Sequence, residues 1–269
     1  MTMISSSSNP AIKQIRALRQ RKERERSGFF FIEGIRLVVE AIQLAAPVEL
    51  LIVAPELLNS PLARELIEAQ THAGHPCLEV TAAVFRSISS RDGPQGLGAL
   101  VRQRWETIDE VCLDNETGIG WVALDTVQDP GNLGTILRTC DAVGGTGVIL
   151  LDHTTDPYDP TALRASMGAI FAQRLVRASF TEFATWKRRH NYTLIGASGG
   201  AEYDYQAVSY RTPLVILMGS ERQGLTIEQQ ALCDKVVSIP MAGRSDSLNL
   251  AVATGIMLYE VFNQQRRGG

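Results

Sequence analysis

Residues 214–225 read Leu-Val-Ile-Leu-Met-Gly-Ser-Glu-Arg-Gln-Gly-Leu. Five apolar residues, Leu214–Met218, run straight into a glycine. A continuous apolar strand of this kind belongs to a parallel sheet covered on both faces. A glycine at a strand end lets a ligand approach the backbone closely. Alone, such a turn is common to many α/β proteins. Its neighbours extend the pattern. Upstream, strands are predicted at Trp121–Asp125, Val148–Leu151, Leu175–Arg177 and Thr193–Gly196, with helices at Leu133–Val143, Thr161–Phe171 and Thr181–His190 between them. Downstream come a helix at Thr226–Cys233, a strand at Val236–Ile239 and a long closing helix, Leu248–Asn263. Strands alternating with helices predict an α/β domain over residues 120–269, its parallel sheet covered on both faces. Ligands of such sheets bind at loops leaving the strand C-termini.

Residues 106–119 change character. Arg104–Glu110 is charged and Asp114–Gly118 is turn-rich, so this stretch reads as a linker. Before it, residues 1–105 alternate again, with strands at Phe29–Ile32, Val48–Val53, Leu78–Val80 and Leu97–Val101 and helices at Arg36–Ala45 and Leu62–Ala73. This predicts a second, small α/β domain. Asn9-Pro10 reads as the cap and first residue of a helix running to Arg26, with Ile12, Ile15 and Leu18 packing and the arginines in water.

The whole chain, 269 residues of 29.4 kDa, carries a net charge of −3. Residues 1–105 hold 13 basic and 10 acidic groups, net +3; the remainder holds 13 and 19, net −6. Seven Lys/Arg crowd residues 13–26: Lys13, Arg16, Arg19, Arg21, Lys22, Arg24 and Arg26. This asymmetry points to a polyanion partner for the first domain, with a solvated helix face as the alternative. Twenty-two of the 26 basic residues are arginine, the better residue for bidentate phosphate contacts. No apolar run approaches the ~20 residues of a membrane helix. The start, with Ser5–Ser8, lacks a secretion signal's apolar region. Cys77, Cys112, Cys140 and Cys233 are far apart without C-x-x-C spacing, which fits a reducing cytosol. Asp152-His153 resembles no metal site, and no metal is expected.

Two further loops follow predicted strands. Residues 129–141 read Asp-Pro-Gly-Asn-Leu-Gly-Thr-Ile-Leu-Arg-Thr-Cys-Asp, a turn whose Asn132 can cap a helix carrying Arg138. Residues 239–250 read Ile-Pro-Met-Ala-Gly-Arg-Ser-Asp-Ser-Leu-Asn-Leu. Pro240 ends the strand, Ser247 can cap the closing helix, and Asn249 faces that helix start. Neither G-x-G-x-x-G nor G-x-x-x-x-G-K-[ST] is present, so nicotinamide and ATP readings lose their main support.

N-x-L-G-x-x-x-R-T, M-G-S-E-x-x-G-L and I-P-M-x-G-x-x-x-S-L-N, in this order, resemble the three motifs of the SpoU (TrmH-type) RNA 2′-O-ribose methyltransferases, part of the SPOUT superfamily. The resemblance covers about residues 120–265, and Arg164–Gly168 is similar to the family too. Phe31–Gly34 and Asp92–Leu97 resemble the RNA-substrate-binding domain that precedes many members.

The resemblance implies a doubly wound α/β fold for the C-terminal domain, with a deep trefoil knot that no periodicity could reveal. It implies that Leu217–Glu221, Ile239–Gly243 and Ser247–Asn249 hold S-adenosyl-L-methionine, with Leu217, Met218, Gly219, Ile239, Met241 and Leu248 lining the adenine pocket. It implies methyl transfer to a ribose 2′-hydroxyl, with Arg138, Asn132, Glu221, Ser247 and Asn249 as catalytic residues. Arg138 acts either as the base or as a clamp on the adjacent phosphate, since a guanidinium hardly deprotonates. Asn132 would position the ribose or Arg138, and Glu221 would orient Arg138 or the loops. Lys13, Arg16, Arg19, Arg21, Lys22 and Arg164 are the expected RNA contacts. A cytoplasmic homodimer is implied, with the closing helix as its face. Ribosomal RNA is the expected substrate. Transfer RNA, or a noncatalytic RNA-binding or ribosome-assembly role, is the alternative.

Overall fold

The computed structural model of the chain describes residues 3–111 and 119–268. The turn-rich stretch Asp114–Gly118 and Cys112 lie outside the described residues. Two compact units are present. One comprises the chain up to Gln103 together with Tyr158–Phe171; the other comprises Arg104–Pro157 and the chain from Ala172 onward.

The first unit contains α1 (Pro10–Ala17), α2 (Arg21–Ser27), β1 (Phe29–Glu33), α3 (Ile35–Gln43), β2 (Val48–Val53), α4 (Pro61–His72), β3 (Cys77–Glu79), α5 (Ala82–Ile88) and β4 (Leu97–Arg102). Its sheet has the order β1-β4-β2-β3, with only the β2–β3 pair parallel. Ile12 and Ile15 of α1 pack with Ile52, Val80, Phe85 and Ile88. Asn9 caps α1 as expected, its Oδ1 accepting from Ala11 N at 2.9 Å, with Pro10 in the first turn.

Three expectations need correction here. The predicted helix to Arg26 is two helices, parted at Leu18–Gln20. Arg24 is not in water but 1% exposed. Its Nη1 donates to the Leu18 and Arg19 carbonyls at 2.8 and 3.0 Å, and its Nη2 pairs with Asp159 at 3.6 Å. A buried guanidinium is tolerated because these partners replace its hydration. Finally, α5 escaped the sequence reading; Thr81 caps it.

The second unit contains β5 (Trp121–Asp125), α6 (Pro130–Ala142), β6 (Gly147–Leu151), β7 (Arg174–Ala178), α8 (Phe180–Arg189), β8 (Thr193–Ala197), β9 (Tyr203–Asp204), β10 (Leu214–Met218), α9 (Ile227–Leu232), β11 (Lys235–Ser238) and α10 (Leu250–Gly268). The helix between β6 and β7, α7 (Pro160–Ser166), belongs to the first unit. It is shorter than the predicted Thr161–Phe171. Met167 turns left-handed at φ +54 and ends it, and a 3-10 turn follows at Ala169–Phe171.

All seven strands of the second sheet pair in parallel, in the order β7-β6-β5-β10-β8-β11-β9. Every residue of β5, β6 and β10 is buried, as continuous apolar strands require. Trp121, Ile149, Phe183, Trp186, Leu194 and Val215 share one core cluster. Full burial of each such side chain contributes roughly 1.5–3 kcal/mol. The chain winds outward from β5 through β6 to β7, then returns to build the other half from β8. Strand order therefore reverses between β5 and β10, and a crevice at this switch point is where doubly wound sheets bind ligands.

Two cysteines sit in this unit's interior. Burial first, and the neighbouring Asp141 second, push the Cys140 thiol up to about 12. Burial and then Asp234 push Cys233 up to about 12. The thiolate is the nucleophile, so the buried Cys140 and the partly buried Cys233 are both poorly reactive near pH 8. Cys140 and Cys233 are expected to stay unmodified by iodoacetamide at pH 8 in the native protein. Peptide mapping by mass spectrometry should detect their labelling only after denaturant is added.

Candidate functional site

β5 and β10 are neighbours, so the loops leaving their C-terminal ends lie side by side. After β5, Asp129 caps α6, its Oδ1 accepting from Gly131 N and Asn132 N at 2.6 and 3.0 Å; Pro130 fills the first helical position. The cap is thus Asp129 and not Asn132, as the sequence had allowed. This leaves the Asn132 side chain available for contacts across the loops.

After β10, Gly219 enters a turn closed by Ser220 N to the Gly224 carbonyl at 3.1 Å and Gly224 N to the Ser220 carbonyl at 2.9 Å. A side chain at Gly219 would overlap the Gly224 carbonyl and Leu225 N, so only glycine permits this closure. The turn holds Glu221 at its tip. After β11, the chain runs exposed from Pro240 to Asn249 and enters α10. Asn249 caps that helix, its Oδ1 accepting from Ala251 N at 2.9 Å and Val252 N at 3.3 Å. Ser247 is not the cap; its Oγ donates to Asp246 Oδ1 at 3.3 Å.

One side chain joins the three loops. Asn132 donates through Nδ2 to Glu221 Oε1 at 2.7 Å and accepts at Oδ1 from Asn249 Nδ2 at 2.9 Å. An amide suits this position, because it offers a donor and an acceptor on one rigid plane. Arg138 lies outside this network, nearly two turns further along α6. It is exposed and makes no ion pair or hydrogen bond among the described residues.

The pocket-lining candidates divide by burial. Leu217 and Met218 are buried, Ile239 is partly covered, and Met241 and Leu248 are exposed. The backbone groups of Pro240–Leu248 make no hydrogen bond among the described residues. Free backbone donors and acceptors beside apolar side chains suit a flat, uncharged base. Sequence reading missed the turn Ser198–Ala201. It leaves β8, which lies between β10 and β11, and so opens on the same sheet edge. The visible signal was a glycine pair, Gly199-Gly200, at a strand end. Among the described residues no cluster of His, Cys, Asp or Glu could hold a metal ion, and no helix is long and apolar enough to cross a membrane.

The basic residues of the first unit have different fates. Lys13 and Lys22 are exposed without ion-pair partners among the described residues. Arg21 pairs with Glu25 at 2.8 Å, an exposed pair worth little. Arg16 donates to Ser87 Oγ at 2.8 Å and Arg19 to the Ser89 carbonyl at 2.7 Å, so both hold α1 to the C-terminal end of α5. Arg164 donates to Ser90 Oγ at 3.3 Å.

A doubly wound parallel sheet whose switch-point loops are locked together is the framework of a ligand-binding α/β enzyme domain. Residues 121–259 match the SpoU rRNA Methylase family, and residues 9–99 match the MRM3-like substrate binding domain. The chain belongs to the SpoU rRNA methylase family. It is 32% identical to the 23S rRNA (uridine(2479)-2′-O)-methyltransferase of Streptomyces viridochromogenes, over 98% of this chain and 93% of that protein. It is 28% identical to the 23S rRNA (guanosine(2553)-2′-O)-methyltransferase of Bacillus subtilis (strain 168), over 97% and 99%. The crystal structure of an rRNA methyltransferase from Sinorhizobium meliloti with AdoMet bound is similar at a TM-score of 0.88, with 38% identity and 97% of each chain covered.

Asn132→Asp replaces the donor to Glu221 with a second carboxylate. Urea denaturation should show a loss of about 1 kcal/mol at neutral pH. The loss should shrink on acidification, as carboxylates neutralise.

Proposed function

We propose that this chain transfers a methyl group to a ribose 2′-hydroxyl of ribosomal RNA, using S-adenosyl-L-methionine. The observation that carries this reading is the Asn132 bridge to Glu221 and Asn249, which joins all three motif loops at the switch-point edge. The relatives' activities and the AdoMet-bound neighbour support it. When bound, S-adenosyl-L-methionine supplies an electrophilic methyl group on a sulfonium.

The chain's residues then have the following roles. Leu217–Glu221, Ile239–Gly243 and Ser247–Asn249, as the loops of a trefoil knot, hold the cofactor. Backbone groups at Met218, Gly219, Ile239, Met241 and Leu248 meet its adenine, with Leu217 lining the pocket. Asn132, Glu221 and Asn249 are positioning residues that fix the start of α6 against the other two loops, and Ser247 holds its own loop. Arg138 clamps the phosphate beside the target ribose and orients the hydroxyl. A guanidinium in water keeps its proton and offers a planar fork of donors, which favours the clamp over the base. Held by Arg138, the hydroxyl would give up its proton to a phosphate oxygen or water on methylation.

Residues 1–105, joined by α7, form the RNA-binding part, 106–119 the linker and the rest of 120–269 the catalytic domain. Exposed Lys13, Lys22 and Arg21, with Arg16, Arg19 and Arg164, supply its positive surface. The protein works in the cytoplasm as a homodimer paired through α10. Val252 and Tyr259, 51% and 47% exposed, support this, since seven residues apart they share one helix face.

The test is transfer of labelled methyl from S-adenosyl-L-methionine to total RNA from a strain lacking the gene. Label should enter large ribosomal RNA as alkali-resistant 2′-O linkages. Arg138→Ala should lower turnover about 10²-fold or more while calorimetry finds cofactor binding retained. Label in transfer RNA would overturn the substrate, and no label despite RNA binding would favour a noncatalytic factor. Separately, Val252→Glu with Tyr259→Glu should shift sedimentation from dimer to monomer; an unchanged dimer would move the interface elsewhere.

A further inference from the structure

The first unit contains a cavity of about 40 Å³ lined by charged residues from four parts of the chain. Arg19 and Arg24 come from the start of the chain, Glu33 from the end of β1, Ser90 and Arg91 from the loop after α5, and Arg164 from α7. Four guanidinium groups thus share one small space with one lining carboxylate. Arg24 is matched by Asp159. Glu33 Oε1 accepts from Ser90 N and Ser90 Oγ at 2.8 and 2.6 Å, while its Oε2 is buried with no partner among the described residues. Arg91 and Arg164 meet no carboxylate among the described residues.

Arg164 is held in place by hydrogen bonds, and Arg91 packs against backbone. Arg164 Nη1 donates to Ser90 Oγ at 3.3 Å and its Nη2 to Thr161 Oγ1 at 3.3 Å. The Arg91 guanidinium lies against Gly34, where a Cβ would come within 2.5 Å of Nη1. Gly34 has φ +99, a conformation that also requires glycine. The guanidinium thus packs against a glycine that the backbone conformation also favours. Two arginines from distant segments that face one space without counter-charges of their own are unfavourable, and they are tolerated where an anion completes the site.

We propose that Arg91 and Arg164 bind a backbone phosphate of the substrate RNA, with Glu33 and Ser90 as the positioning pair beneath them. The space accommodates a phosphoryl group or a few waters. The guanidinium fork matches two phosphate oxygens. This inference rests on the proposed RNA methylation and adds to it a substrate contact remote in sequence from the methyl-transfer motifs.

Salt dependence tests it. Binding of a labelled mixed-sequence oligoribonucleotide to the full chain is measured across a range of salt concentrations. Each phosphate contact to a single strand contributes a slope of about −0.7 in log K against log[salt]. Arg91→Ala and Arg164→Ala should each weaken binding several-fold and flatten the slope by about 0.7, whereas the lysine variants should keep the slope. Thermal unfolding checks that the variants fold, and Arg91, on an exposed loop, keeps the test decisive if Arg164→Ala unfolds. Unchanged slopes in both alanine variants would overturn this site and leave the methylation reading intact. So would inorganic phosphate binding to the wild type that both variants lose without any change in the RNA slope. A wild type that neither binds nor methylates RNA would overturn both.

Discussion

The parallel pairing of β5 with β10 is the constraint on which the rest depends. Parallel strands all point one way, so their C-terminal ends share one edge and their loops must meet there. β5 opens one half of the sheet and β10 belongs to the other, so their loops come from opposite windings of the chain. Asn132 and Glu221, 89 positions apart in the chain, would otherwise have no reason to meet; here their side chains sit 2.7 Å apart.

That edge is stabilised by small local devices whose effects propagate. Asp129 takes over the cap of α6, which frees the Asn132 amide. The closure of Ser220 on Gly224 needs a glycine at 219 and fixes Glu221 at the turn. Asn249 caps α10 with its oxygen and reaches Asn132 with its nitrogen. Each hydrogen bond is exposed or only part-buried and contributes little alone. Together they determine how three loops are placed, and placement is what a methyl transfer between two bound substrates requires.

The first unit shows the same economy in its arginines. A run of seven basic residues reads as a single wet helix face, yet Arg24 is buried and Arg16 and Arg19 close the end of α5. Charge count alone could not separate these structural guanidiniums from those left exposed. Arg16 and Arg19 reach a hydroxyl and a carbonyl 71 and 70 positions away, and Arg24 turns back on carbonyls six and five positions before it and out to Asp159, all set by packing.

The sequence by itself determined the α/β class, the buried strands, the loops that follow them and the family motifs. These follow from local periodicity, from glycine and proline at strand ends, and from residue types fixed at short spacing. It named Asn132, Glu221 and Asn249 as candidates without showing that they touch. Only the tertiary structure decided that Asp129 caps α6, that Asn132 bridges three loops, and that α7, lying in sequence between β6 and β7, packs with the first unit and brings Arg164 to Ser90. The physical reason is that capping, burial and charge clustering are settled by which surfaces meet, and those meetings join residues too far apart along the chain for any periodicity to record.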